Sequence, residues 1–184
     1  MNLPANKTDS IAASVQLAAF DIDGTLTDGR IIIGDNGELA KAFSVRDGLG
    51  LRLLMDAGIH VAIITARESK IVTRRCEELR IDHVLQGVKD KAGAFTSLAA
   101  ELNIPIENTA FMGDDLPDLP ALRIAGLAAC VGDAVTEVKA HCHWVSTVPG
   151  GHGAARELAQ YLLMTRGRWG EVIGRFTGTA VTGQ

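Results

Sequence analysis

Four short apolar runs recur along the chain, and each is closed by a polar group of a different kind. Residues 15–20 end in Asp21 and Asp23, and residues 60–64 in Thr65. Residues 82–85 lead through Gln86 and Gly87 to Lys89 and Lys91, and residues 109–112 end in Gly113, Asp114 and Asp115. Runs of this length, rich in Val, Ile and Phe, predict buried strands. Between them the apolar positions take a helical period over about 68–79, 90–102 and 116–125. Late strands are expected at 127–131 and 144–145, with helical turns over 135–140 and an amphipathic helix over 153–165. Asp47 reads as the N-cap of a further helix that carries Leu49, Leu53 and Leu54 on one face and closes at Gly58. Asn36-Gly37, set between apolar runs, predicts a β-hairpin over about 30–44. Strand and helix alternating in this way predict an α/β fold with a doubly wound parallel sheet.

In an open parallel sheet the carboxyl ends of the strands share one edge, and ligands bind there. The four runs would therefore deliver an acid pair, a hydroxyl, an ammonium and a second acid pair to a single place. Two carboxylates at the mouth of a buried strand cost free energy unless a cation or substrate offsets them. The i, i+2 spacing of Asp21 and Asp23 suits a nucleophile and a separate acid/base. Hard oxygen donors together with a hydroxyl and a lysine describe a site for a divalent ion and a phosphoryl group. Taken singly, each has an ordinary explanation: Asp114 and Asp115 as helix caps, Thr65 as a loop hydroxyl, Lys89 and Lys91 as solvated cations. The pairing of the two acid clusters decides for chemistry.

These motifs, in this order, resemble the haloacid dehalogenase superfamily of phosphohydrolases. Within it, Thr27-Asp28-Gly29, residues 43–50, Gly113-Asp114-Asp115 and residues 150–157 are similar to the family of phosphatases acting on 3-deoxy-D-manno-octulosonate (KDO) 8-phosphate. The resemblance runs from about residue 17 to 166. It implies a Rossmann-like core without a cap domain, a tetramer, and Mg²⁺-dependent hydrolysis through an aspartyl-phosphate in lipopolysaccharide precursor synthesis. It further implies Asp21 as nucleophile, Asp23 as acid and base, Thr65 and Lys91 on the phosphoryl oxygens, and Asp21, Asp23, Asp114 and Asp115 around the metal. Asp118 is expected to orient Lys91 or the metal waters. The family pattern selects Lys91 over Lys89. By the same resemblance Asp23, Lys91, Ser44, Val45, Arg46, Asp47, Gly48, Arg52, Arg67 and Arg75 line the substrate pocket, some of them from an adjoining subunit. Arginines suit a sugar acid because they bind carboxylates bidentately.

Length and charge narrow the alternatives. The 184 residues are 47% hydrophobic but only 4% aromatic, which predicts one domain with an aliphatic core. That domain is expected over 14–166, with a flexible lead-in at 1–13 and a flexible Gly/Thr-rich tail at 167–184. A net charge of −4 argues against nucleic acid or an anionic membrane as partner. The absence of a long apolar run, of a signal-like start and of any paired cysteine framework points to a reduced cytoplasm. His141-Cys142-His143 lacks the further ligands a zinc site needs. Neither gap between the strand-end motifs has room for a lid domain, so the isoleucine-rich hairpin is expected to pack on a neighbouring subunit. Two other functions remain open at this point. One is a phosphatase for another nonulosonic acid phosphate, of the sialic-acid 9-phosphate type. The other is a phospho-accepting receiver module, disfavoured because the middle runs do not end in an acid.

Overall fold

The structure is a computed structural model that describes residues 5–178. In chain order the elements are α1 (Ala5–Ser14), β1 (Leu17–Phe20), β2 (Ile32–Gly34), β3 (Gly37–Ala40), α2 (Val45–Asp56) and β4 (His60–Ile64). They continue with α3 (Lys70–Leu79), β5 (His83–Leu85), α4 (Lys91–Glu101), β6 (Thr109–Gly113) and α5 (Leu119–Ile124). The last are β7 (Leu127–Cys130), α6 (Thr136–Lys139), β8 (Trp144–Val145), α7 (Ala154–Thr165) and α8 (Trp169–Thr177). Six strands form one sheet in the order β5-β4-β1-β6-β7-β8, and β2 pairs with β3 in a separate hairpin. Every pairing in the large sheet is parallel. The predicted α/β doubly wound sheet with a small hairpin is what the chain forms.

β1 lies inside the sheet, between β4 and β6, and is wholly apolar. Leu17, Ala18, Ala19 and Phe20 are each 1% exposed or less, a burial that only a strand covered on both faces allows. The chain leaves β1 toward β4 and β5, then crosses back through α4 to β6 on the other side. Right-handed crossovers accordingly put α2 and α3 on one face and α4 and α5 on the other. The register fixes the active edge. Phe20 pairs with Ile63 on one side and Met112 on the other, so Asp21 lies level with Ile64 and Gly113. Its amide still donates to the Met112 carbonyl at 3.0 Å, which ties the first acid to the end of the sheet.

Two expected details are corrected. Ser44, not Asp47, caps α2, its hydroxyl accepting from the amides of Arg46 and Asp47. Asp47 is buried and serves another helix: its carboxylate accepts from Gly153 N at 3.1 Å and Arg156 N at 2.9 Å. α7 begins at Gly153 with no capping side chain of its own, so a residue 106 positions earlier supplies the cap. Leu49, expected on the buried face of α2 with Leu53 and Leu54, is exposed; Leu53 and Leu54 do turn inward, joined by Gly50 and Leu51. Gly50 lets α7 approach so closely that a Cβ there would stand 2.7 Å from the Arg156 Cα.

The ends also differ from expectation. The predicted loose lead-in at 1–13 holds most of α1 (Ala5–Ser14), where Ala12 is fully buried and Tyr161 of α7 donates to Asp9 at 2.7 Å. Within the predicted tail, α8 is anchored where Arg168 donates to the Ala57 carbonyl at 3.1 Å and Arg156 lies over the Trp169 ring at 4.7 Å. Residues 1–4 and 179–184 lie outside the described residues. Among the described residues no helix is long and apolar enough to cross a membrane.

Candidate active site

The four strand ends meet in one cleft of about 150 Å³, lined by Asp21, Asp23, Thr65, Ala66, Arg67, Lys91, Asp114, Asp115, Pro117 and Asp118. Asp21 follows β1, Thr65 follows β4, Lys91 opens α4 after β5, and Asp114 follows β6. Lys91 is 4% exposed and reaches between two acids, with Nζ at 2.8 Å from Asp21 Oδ1 and 2.6 Å from Asp118 Oδ1. Lys89, the other candidate, is exposed. Burial lowers the Lys91 pKa, but Asp21 and Asp118 outweigh it, so the ammonium is held above its ordinary range.

Asp21, Asp114 and Asp118 each offer a carboxylate oxygen within 4.8 Å of the others. Three acids against one buried lysine leave uncompensated negative charge. Burial first, then the charge of Asp118, raises the Asp21 pKa to about 6. Burial, Asp118 and Asp21 raise that of Asp114 to about 7. Carboxylates so crowded fit a hard divalent cation, which relieves the repulsion and takes only oxygen ligands. Asp118 is already engaged: beyond Lys91, its Oδ2 accepts from the amides of Asp114 at 2.9 Å and Asp115 at 3.4 Å. Asp21 and Asp114 are the residues with capacity to hold the ion. Thr25 orients Asp114 by donating to Oδ1 at 3.2 Å.

Asp23 departs from Asp21 at the next turn. Gly24 has φ +93°, and a Cβ there would sit 2.0 Å from Asp114 Oδ2, so glycine is required both for the turn and for the approach of the second acid loop. Within this turn, just before Gly24, the Asp23 side chain stands outside the three-carboxylate cluster. One oxygen is ion-paired with Lys41, and Oδ2 lies 3.5 Å from Arg67 Nε. Lys41 and its partner Glu38, on the hairpin, were not legible as site residues; an alternating polar stretch after a turn carries no signal of burial.

Asp115 also lines the cleft, but its Oδ1 accepts from the Leu116 amide at 2.7 Å and it stands apart from the three clustered carboxylates. Several other expected residues lie outside the cleft of this one chain. Arg52 is at the opposite end of the sheet, where it donates to the Leu79 carbonyl at 3.0 Å and lines a cavity with His60 and Arg80. Arg75 packs over the Phe43 ring at 5.9 Å and pairs with Glu78 at 3.4 Å. Gly48 makes room for it, since a Cβ there would meet Arg75 NH2 at 2.4 Å. Ser44, Val45 and Arg46 line a separate groove of about 390 Å³ together with Asp28, Phe43 and His152. Of the proposed substrate contacts, the cleft of this one chain holds Asp23, Arg67 and Lys91.

Comparison with known proteins agrees with this geometry. Residues 83–158 match a family model described as haloacid dehalogenase-like hydrolase. The chain is also 43% identical, over 89% of its length and 87% of the relative's, to 3-deoxy-D-manno-octulosonate 8-phosphate phosphatase KdsC of Escherichia coli (strain K12). The chain belongs to the haloacid dehalogenase-like hydrolases. Among solved structures, this hydrolase superposes with a TM-score of 0.91 on the 3-deoxy-D-manno-octulosonate 8-phosphate phosphatase of Moraxella catarrhalis. That structure, 40% identical, holds a magnesium ion, a phosphate ion and a KDO molecule; the match covers 94% of the hydrolase and 99% of its relative. A cobalt-bound deoxy-D-mannose-octulosonate 8-phosphate phosphatase of Haemophilus influenzae matches with a TM-score of 0.85 at 38% identity, over 86% of the hydrolase and 93% of its counterpart.

Proposed function

We propose that this hydrolase is a Mg²⁺-dependent phosphomonoesterase converting 3-deoxy-D-manno-octulosonate 8-phosphate to KDO and phosphate. The observation that carries the reading is the division between its two leading acids. Asp21 is held by Lys91 beside Asp114, whereas Asp23, on the same cleft, is paired with Lys41 and Arg67. One acid is thus set for phosphorus and the other for the leaving group. The relative from Moraxella catarrhalis, which carries the same ion, anion and sugar acid, supports it.

In this reading Asp21 Oδ attacks phosphorus and the bond to the C8 oxygen of the sugar breaks. Asp23 gives that oxygen its proton, then takes one from the water that hydrolyses the aspartyl-phosphate. Lys91 and the Thr65 hydroxyl hold the phosphoryl oxygens, and the Lys91 charge opposes the charge that develops on them. Asp21 and Asp114, with the Asp23 main-chain carbonyl, would hold Mg²⁺, whose charge would screen carboxylate from phosphate. Arg67, half exposed at the rim, receives the sugar carboxylate. A panel of sugar phosphates assayed with Mg²⁺ tests the substrate. KDO 8-phosphate should be cleaved at least about 10²-fold more efficiently than sialic-acid-type 9-phosphates. A preference for the latter would move the assignment to another nonulosonic acid.

The groove at Ser44, Val45 and Arg46 is assigned to a neighbouring subunit's site within a homotetramer. Exposed apolar side chains on the hairpin and at the start of α2 support this: Ile33 is 73% exposed, Leu39 68% and Val45 80%. Sedimentation at assay concentration should give a tetramer, and a fully active monomer would refute the assignment. All three cysteines are free and buried, which supports a reducing, cytoplasmic setting.

A further inference from the structure

Lys41 is the most deeply buried cation of the site, its side chain 1% exposed, yet it belongs to neither acid motif. A desolvated ammonium persists only where charge partners replace its water, and Lys41 has two. It is ion-paired with Asp23 and lies 3.0 Å from Glu38 Oε1. Glu38, on β3, is in turn tied to the main domain. It accepts a hydrogen bond from the Ser69 hydroxyl, the N-cap of α3, and lies 3.9 Å from Arg67. Glu38 already ties the hairpin to the main domain through Ser69 and Arg67, so fastening does not require the lysine. Instead its charge is spent on the one carboxylate that faces the leaving group. The two acids of the first motif therefore have separate lysines, Lys91 for Asp21 and Lys41 for Asp23, arriving from elements that the chain order keeps apart.

We infer that Lys41, braced by Glu38, is a positioning residue that holds the Asp23 carboxylate in line with the departing oxygen, which makes the hairpin a working part of the reaction. The inference rests on the reading of Asp23 as acid and base. With Oδ1 held by Lys41 and Oδ2 near Arg67, the carboxyl plane is fixed from both sides; without Lys41, only the half-exposed Arg67 remains to orient it.

The test compares two leaving groups. A sugar alkoxide needs a proton as it leaves, whereas p-nitrophenolate does not, and kcat/KM reports only the steps up to phosphorylation of Asp21. Lys41→Met should lower kcat/KM for the sugar phosphate about 10²-fold and for p-nitrophenyl phosphate less than about 5-fold, with Lys41→Arg regaining part of the loss. Glu38→Gln, which preserves shape, should show the same selectivity at roughly 10-fold, and it carries the test should Lys41→Met not fold. Equal losses on both esters, or no loss on the sugar phosphate, would overturn the inference. Asp23→Asn is measured alongside. If it is leaving-group-selective and the Lys41 variants are not, the role of Lys41 alone falls; if it is not selective, the reading of Asp23 falls first.

Discussion

Asp21→Asn is expected to abolish turnover while leaving the fold intact. An amide of the same shape can still accept from Lys91 at the 2.8 Å position, but it has no lone-pair anion to offer phosphorus. The loss should be roughly 10⁴-fold or more in kcat, with no acid-stable phosphoryl-enzyme after quenching. Stability should move the other way. Burial and the nearby Asp118 disfavour the Asp21 carboxylate, so removing its charge relieves repulsion, and the metal-free variant should melt no lower than wild type at neutral pH. Circular dichroism against temperature, beside single-turnover kinetics, checks both halves. An undiminished rate would refute Asp21 as nucleophile.

Magnesium affinity should climb steeply with pH and then level off. Asp21 and Asp114 have folded-state pKa values of about 6 and about 7 against an ordinary 3.8. Between pH 4 and 7 the folded chain therefore holds protons that the unfolded chain has released. The stability these protons confer is fully present below pH 4 and is lost as pH rises through 6 and then 7. The metal-free protein should accordingly lose melting temperature across that window. A cation must displace the same protons, so apparent affinity should gain about 10-fold per pH unit for each proton expelled. Calorimetry in buffers of different ionisation enthalpy should find between about one and two protons released near pH 5.5 and almost none at pH 8. Proton release that does not change with pH would show that these carboxylates are ionised without metal. The melting-temperature gain from Mg²⁺ should follow the same curve.

How far the sequence carried the site differs from residue to residue. Asp21, Thr65, Lys91 and Asp114 were legible because each closes an apolar run, and parallel strands bring their ends to one edge whatever their order. That order was not legible. β1, the first strand in the chain, lies between β4 and β6, whereas β5 from mid-chain stands at the edge. Arg52 and Arg75 lie outside this chain's cleft, and arginine at helical spacing looks the same whether it faces a ligand or packs on Phe43. Asp47 looked like a local cap because capping is usually local; here it reaches across to α7.

The chain by itself determined which reactive groups exist and which strand end carries each, since burial of short apolar runs and the spacing of acids act over a few residues. Only the tertiary structure decided whom those groups meet. It turned Asp23 toward Lys41, drew Asp118 onto Lys91, left Asp115 to cap a turn and sent Arg52 to the far end of the sheet. The reason is electrostatic: the pairing of buried charges depends on distances of 3–4 Å between segments far apart along the chain, and nothing local encodes them.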